Sequence, residues 1–366
     1  METSTDARLF RLGWTEGRGN AFAPYAQAGF IAARAVTAAR DTVRAASATG
    51  QLTVVVQRGF RRGASAASEY PVVGDWLALE PLDGENAALR AVLPRSSVFS
   101  RGDHEVGTEQ VIAANVDTAV IVAALTYELN LRRLERYLAL AWSSGAAPVV
   151  LLNKADLCPD LPARVAEVTA VAGGAPVLVA SALTGQGLDG LRPYLAANHT
   201  VCLLGSSGVG KSTITNALLG EERQLVREVR ADDQRGRHTT TGRELFELPV
   251  GGLLIDTPGM RAIGLWDADD GVERAFADID AIALECRFSD CAHDAEPGCA
   301  VRAAIERGDL DGSRLESRRK LELEMRSIER RMSVAAARAE GRRMGKLYRD
   351  AGKQAARKQR PWEARP

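Results

Sequence analysis

The chain has 366 residues, 46% hydrophobic and 26% charged, which are the proportions of a soluble globular protein of about two or three domains. Acidic and basic residues balance at 47 each, so net charge excludes no partner; from Val301 onward, however, 19 Lys or Arg stand against 10 Asp or Glu, a basic tail suited to nucleic acid. No run approaches the roughly 18 apolar residues of a membrane helix, no secretion signal follows Met1, and five cysteines, three clustered near one histidine, favour a metal over disulfides and a reducing, cytoplasmic location.

In chain order, residues 1–42 are alanine-rich and predict a helical extension. Residues 43–105 change character: LTVVVQRGF, YPVVGDWLALE and ALRAVLP are short strands punctuated by Gly and Pro. So many strands in so little chain predict a small β-barrel, either an oligonucleotide-binding fold using Arg58, Arg61 and Arg62 or a plain packing domain. Residues 106–268 alternate strand and helix. TAVIVAAL, APVVLLN, APVLVAS and VCLLG are apolar strands, and NLRRLERYLALAWSSG, LPARVAEVTAVAG and KSTITNALLG are helices. Such alternation predicts a mostly parallel sheet covered on both faces. ELFELPVGGLLIDTPG predicts a hairpin turned at Gly251-Gly252. Residues 269–366 hold the Cys/His cluster and then a charged helical run from about Leu315.

The chemistry begins at Gly205-Ser206-Ser207-Gly208-Val209-Gly210-Lys211-Ser212, followed by Thr213, which fits G-x-x-x-x-G-K-[ST] between a strand and a helix. Its glycines let backbone amides converge on an anion, and the helix start adds its positive end. Lys211 is placed for the β- and γ-phosphates and Ser212 for Mg²⁺. Downstream, Asp256-Thr257-Pro258-Gly259 follows the apolar run Leu253-Leu254-Ile255. Asp256 is then a second Mg²⁺ group, and Gly259 lets an amide approach the γ-phosphate. Between them, Gly236-Arg237-His238-Thr239-Thr240-Thr241 lies in a polar segment suited to a switch, with Thr240 or Thr241 binding the metal when the γ-phosphate is present.

Asn153-Lys154-Ala155-Asp156 ends another apolar strand and has the form N-K-x-D. Asp156 can accept from guanine N1–H and N2–H₂, donors that adenine lacks. Lys154 would lie over the base, and Asn153 would tie the loop to its neighbours. Ser181-Ala182-Leu183, at the end of the next strand, would support the guanine carbonyl through its backbone. These base motifs precede the phosphate loop, whereas in ordinary GTPases they follow it. The order is that of a circular permutation.

Cys286-x₄-Cys291-x-His293-x₅-Cys299 supplies three thiolates and an imidazole, the ligands of a closed structural Zn²⁺ site. Cys158 and Cys202 sit beside or within apolar strands and read as packing residues.

Together the order NKAD, SAL, GSSGVGKST, HTTT, DTPG, the phrases PVVGDW and QVIAANVD, and the C-x₄-C-x-H-x₅-C cluster resemble the RsgA (YjeQ) family of circularly permuted GTPases. The resemblance implies an N-terminal OB-fold, a central GTPase domain with Mg²⁺ and GTP, and a C-terminal zinc domain. It also implies a role in late maturation of the small ribosomal subunit, with rRNA as a contact and hydrolysis stimulated by that subunit. Met260 stands where Ras-like enzymes often have a water-positioning glutamine, and the resemblance suggests His238 for that task. The expectation is a monomeric GTPase without a membrane anchor. The rival expectations are a large-subunit GTPase, an ATPase, and an RNA-binding assembly module that uses GTP mainly as a conformational ligand.

Overall fold

The computed structural model describes residues 4–38, 43–57, 69–103, 108–126, 129–220, 243–256 and 269–330. Two helices open the chain, α1 (Ser4–Arg11) and α2 (Glu16–Gln27). Thr15 caps α2 by accepting the Arg18 amide hydrogen at 3.4 Å. Buried Leu12 and the ring of Trp14, edge-on to Trp76 at 4.7 Å, fasten them to the next unit.

That unit is a barrel of β1 (Ile31–Ala38), β2 (Val43–Ser47), β3 (Gln51–Val55), β4 (Trp76–Pro81) and β5 (Asn86–Val92). The strands run in the order β1-β2-β3-β5-β4 and close through β4–β1, with β3–β5 the parallel pair. This closed five-stranded barrel fits the OB-fold expectation. The helical expectation for residues 1–42 stops too late, however, because IAARAVTA is a barrel strand. Alanine favours helix intrinsically, but here period two decides. Ala33 and Ala35 enter the barrel core with Val43, Leu77 and Leu79, while Arg34 points to the opposite face. Arg34 is fully buried and donates to the carbonyls of Leu12 (2.5 Å), Gly74 (3.2 Å) and Asn115 (2.9 Å). One guanidinium thereby joins the N-terminal helices, the barrel and the chain entering the next domain.

A hairpin of β6 (Val98–Asp103) and β7 (Thr108–Ala114) leads onward, so the expected boundary at 105/106 falls inside it. The α/β domain then comprises β8 (Thr118–Ala124), α3 (Leu131–Ser143), β9 (Ala147–Asn153), α4 (Leu161–Val171), β10 (Val177–Val179), β11 (Thr200–Leu204), α5 (Lys211–Leu219), β12 (Glu244–Glu247) and β13 (Leu253–Asp256). The sheet order is β10-β9-β8-β11-β13-β12, parallel except for β12, which also touches β1 at Thr37↔Glu244. Both faces are covered. Ile121, Val150 and Cys202 pack with Leu138 of α3 on one side; Val120, Leu151 and Val201 pack with Ile214 of α5 on the other. This is why β8, β9 and β11 read as continuous apolar runs.

The C-terminal lobe holds α6 (Asp269–Ala275), α7 (Ala277–Ala283), α8 (Ala300–Arg307) and α9 (312–330). It grips α3. Gly271 lies so close that an added Cβ would stand 2.1 Å from the Ala139 carbonyl. Glu135 of α3, 2% exposed, accepts from Arg314 Nη1 at 2.8 Å and Ser317 Oγ at 2.5 Å. Burial pushes the Glu135 carboxyl pKa up, and the bonds from Ser317 and Arg314 oppose that rise. Arg314 also grips Asp278 at 2.7 and 2.9 Å. Arg136 forms a forked pair with Glu324, and Arg132 reaches Glu316 at 2.9 Å.

Candidate active site and metal cluster

Among the described residues, the expected nucleotide-site residues lie at the carboxyl ends of β9, β10, β11 and β13 or on the loops that leave them, where open α/β sheets bind ligands. After β11 the backbone turns through Gly205, Gly208 and Gly210, all with positive φ. A side chain at Gly205 would stand 2.4 Å from the Val122 carbonyl, and one at Gly210 would stand 2.2 Å from Asn153 Nδ2. The loop therefore lies flat against its neighbours. Ser206 is half-buried and Ser207 exposed, while Val209 anchors the loop in the core.

α5 begins at Lys211 with no side-chain cap on Gly210, and its first turn, with Ser212 and Thr213, presents the positive helix end that suits an anion. Lys211 Nζ folds over the loop and donates to the carbonyls of Gly205 (2.7 Å) and Ser206 (2.5 Å). β13 runs parallel to β11 with Cys202 opposite Ile255, which sets Asp256 level with the last residues before the phosphate loop. Ser212 and Asp256 are both half-buried, and both are hard oxygen donors of the kind Mg²⁺ takes.

Asn153 joins the two halves. Its side chain is 2% exposed, donates from Nδ2 to the Val209 carbonyl at 2.8 Å and accepts the Ala182 amide hydrogen on Oδ1 at 2.9 Å. The base motif, the phosphate loop and the Ser181 turn, separated by up to 56 residues of chain, are held by one amide. Lys154 takes the left-handed conformation at φ 65°, which breaks β9 sharply and leaves Asp156 on an exposed turn. Within the Ser181-Ala182-Leu183 backbone expected to support a base carbonyl, the Ala182 amide is already occupied by Asn153. Among the described residues nothing accepts from the Leu183 amide, and Leu183 is 82% exposed. A second contact that sequence did not suggest is Arg133 Nη1 to Ser206 Oγ at 2.9 Å. His238, Thr240, Thr241 and Gly259 lie outside the described residues.

In the C-terminal lobe, ligand atoms of Cys286, Cys291, His293 and Cys299 all lie within 4.8 Å of one another. His293 Nδ1 is 3.6 Å from Cys286 Sγ and 3.4 Å from Cys299 Sγ, and those two sulfurs are 4.0 Å apart. Bonds of about 2.0–2.3 Å to a tetrahedral Zn²⁺ imply similar separations between ligands. Burial, then Arg318 and Arg319, push the His293 pKa down, which favours the neutral ring that a metal needs. The Glu296 carboxylate gathers the amides of Ala292 (2.9 Å), Asp294 (2.8 Å) and Ala295 (3.0 Å), shaping the loop around His293. No cysteine among the described residues is in a disulfide.

The family described as RsgA GTPase matches residues 92–266. A small ribosomal subunit biogenesis GTPase RsgA from Streptomyces avermitilis is 46% identical over 363 residues, 96% of this chain and 95% of that protein. Its namesake from Streptomyces coelicolor is 47% identical over 346 residues, covering 92% of this chain and 91% of the other. This chain belongs to the RsgA GTPase family. It is accordingly a GTP hydrolase. The crystal structure of YjeQ from Thermotoga maritima matches with a TM-score of 0.60 at 26% identity, covering 81% of this chain and 98% of that one. YloQ, described as a circularly permuted GTPase, matches in fold with a TM-score of 0.58 at 22% identity, covering 81% and 96%. Both structures share the architecture found here.

Proposed function

We propose that this enzyme hydrolyses GTP to GDP and phosphate during late maturation of the small ribosomal subunit, docking through its barrel, its Cys/His lobe and its basic tail. The curated relatives' names supply the subunit. The observation that carries the chemistry is the Asn153 bridge, which sets a guanine-type recognition loop against a phosphate loop.

In this assignment Asp156 accepts from guanine, the Leu183 amide faces the base carbonyl, and the aliphatic stem of Lys154 covers the ring. The amides of residues 205–213 surround the phosphates. Lys211, held by the Gly205 and Ser206 carbonyls, exchanges those contacts for phosphate oxygens. Ser212, Asp256 and Thr240 or Thr241 would hold Mg²⁺, which supplies charge neutralisation at the β- and γ-phosphates when bound. His238 positions the attacking water. The three cysteines and His293 would hold one structural Zn²⁺. The enzyme works as a cytoplasmic monomer, and among the described residues no helix is long and apolar enough to cross a membrane.

Hydrolysis measured at one fixed salt concentration, alone and with purified small or large subunits, tests the assignment. Stimulation by small subunits alone is expected. Equal rates in all three conditions would remove the ribosome from the proposal and leave the GTPase standing.

A further inference from the structure

The helix that the C-terminal lobe grips also touches the phosphate loop. Along α3, Arg132, Glu135 and Arg136 pair with Glu316, Arg314 and Glu324, all on α9. α9 in turn holds the metal loop, with Arg319 donating to the Ala292 carbonyl at 2.7 Å and pairing with Asp294 at 2.7 Å. At the amino end of α3, Arg133 is exposed to solvent, yet its guanidinium bonds Ser206 Oγ at 2.9 Å. The Asn130 side chain fixes that first turn by accepting the Arg133 amide hydrogen at 3.0 Å. The same Ser206 offers its carbonyl to Lys211.

We propose that Arg133 is a positioning residue for the phosphate loop, and that α3 transmits the grip of the C-terminal lobe to bound nucleotide through it. The physical basis is continuity. A helix held by one buried and two partly exposed ion pairs moves as a rod, and a hydrogen bond from its first turn fixes Ser206 relative to that rod. If α9 lets go of α3, Arg133 loses its set position, and the loop that cradles phosphate is held less firmly. The proposal needs the family's GTP binding but not the small subunit, so it stands or falls separately from the ribosomal assignment.

The experiment follows release of a fluorescent GDP analogue from the full-length enzyme under excess unlabelled GDP. Arg133→Ala should speed release roughly three- to tenfold, the effect of one ordinary hydrogen bond at a solvent-exposed site, and Arg133→Lys should recover part of it. Arg133→Ala added to Ser206→Ala should change nothing further, because the shared bond is already gone. Arg136→Ala, which loosens α9 from α3 at a half-buried site, should speed release in the native background and have no effect in the Arg133→Ala background. Additive effects of Arg133→Ala and Ser206→Ala would overturn the positioning role. An undiminished Arg136→Ala effect without Arg133 would overturn transmission through it. Unchanged release in Arg133→Ala would overturn both.

Discussion

Replacing Asn153 with alanine removes two hydrogen bonds at once, one to the Val209 carbonyl and one from the Ala182 amide, at a site 2% exposed. Each buried bond contributes about 0.5–1.5 kcal/mol net, so the pair is worth about 1–3 kcal/mol. Only the part that bound nucleotide must restore appears in affinity, and the lower half of that range corresponds to a loss of roughly five- to thirtyfold. Asn153→Asp separates the two bonds. It keeps an acceptor for Ala182 but turns a carboxylate on the Val209 carbonyl, so it should bind at least as weakly as the alanine variant. Equilibrium titration with fluorescent GDP measures the affinity, and a thermal melt without nucleotide measures the fold. If Asn153→Ala binds within twofold of the native enzyme while remaining folded, the idea that this amide assembles the site is wrong.

Arg314→Ala leaves Glu135 buried without its cation and should cost about 3 kcal/mol in denaturant unfolding, the low end for a broken buried pair because Asp278 is 44% exposed. Burial already holds the folded Glu135 pKa above its unfolded value, so the penalty for its ionised form is full above the folded pKa and absent below the unfolded one. The deficit of the variant should therefore shrink as pH is lowered from neutrality; a deficit that grows on acidification would contradict this. Asp156→Asn should relax the preference for guanine over other bases in competition binding, and full retention of that preference would move base reading elsewhere. Metal analysis of the purified chain should find one zinc per molecule. Cys291→Ser should lower that value, whereas an unchanged zinc content would place the ion at other residues. His238→Ala should lower turnover with little change in GTP affinity, and unchanged turnover would remove it from the mechanism.

The alternation of apolar strands and helices marked out the α/β sheet correctly because strands covered on both faces have no polar positions to blur them. The Gly251-Gly252 turn was legible for a similar reason: both residues take positive φ, at 92° and 74°, which few other residues tolerate. β1 was not legible. Its alanines favour helix, and only the barrel around them, with Arg34 bonded across three units, imposes the strand. Within the site, motif spacing nominated residues but could not show the division of labour between neighbouring amides. That division depends on which amide Asn153 captures, a contact across 29 positions that no local pattern encodes. Arg133 was invisible for the same reason, since its partner lies 73 positions away and nothing in LRRLERYL separates it from an ordinary solvated arginine.

The strand order has a consequence for synthesis. Of the α/β sheet, β8, β9 and β10 leave the ribosome that makes the chain first, after the helices and the barrel, and these three build outward on one side of β8. The other edge of β8 stays unpaired until β11 emerges, and β11 in turn waits for β13. The nascent protein thus carries an open, almost wholly apolar strand edge through the translation of α3, α4 and everything up to Thr200. Such an edge is a template for pairing with other chains. An enzyme with the conventional order makes its phosphate-loop strand first and meets this hazard at a different strand. In the permuted order the edge left waiting belongs to β8, beside the strands that carry the base-reading motifs.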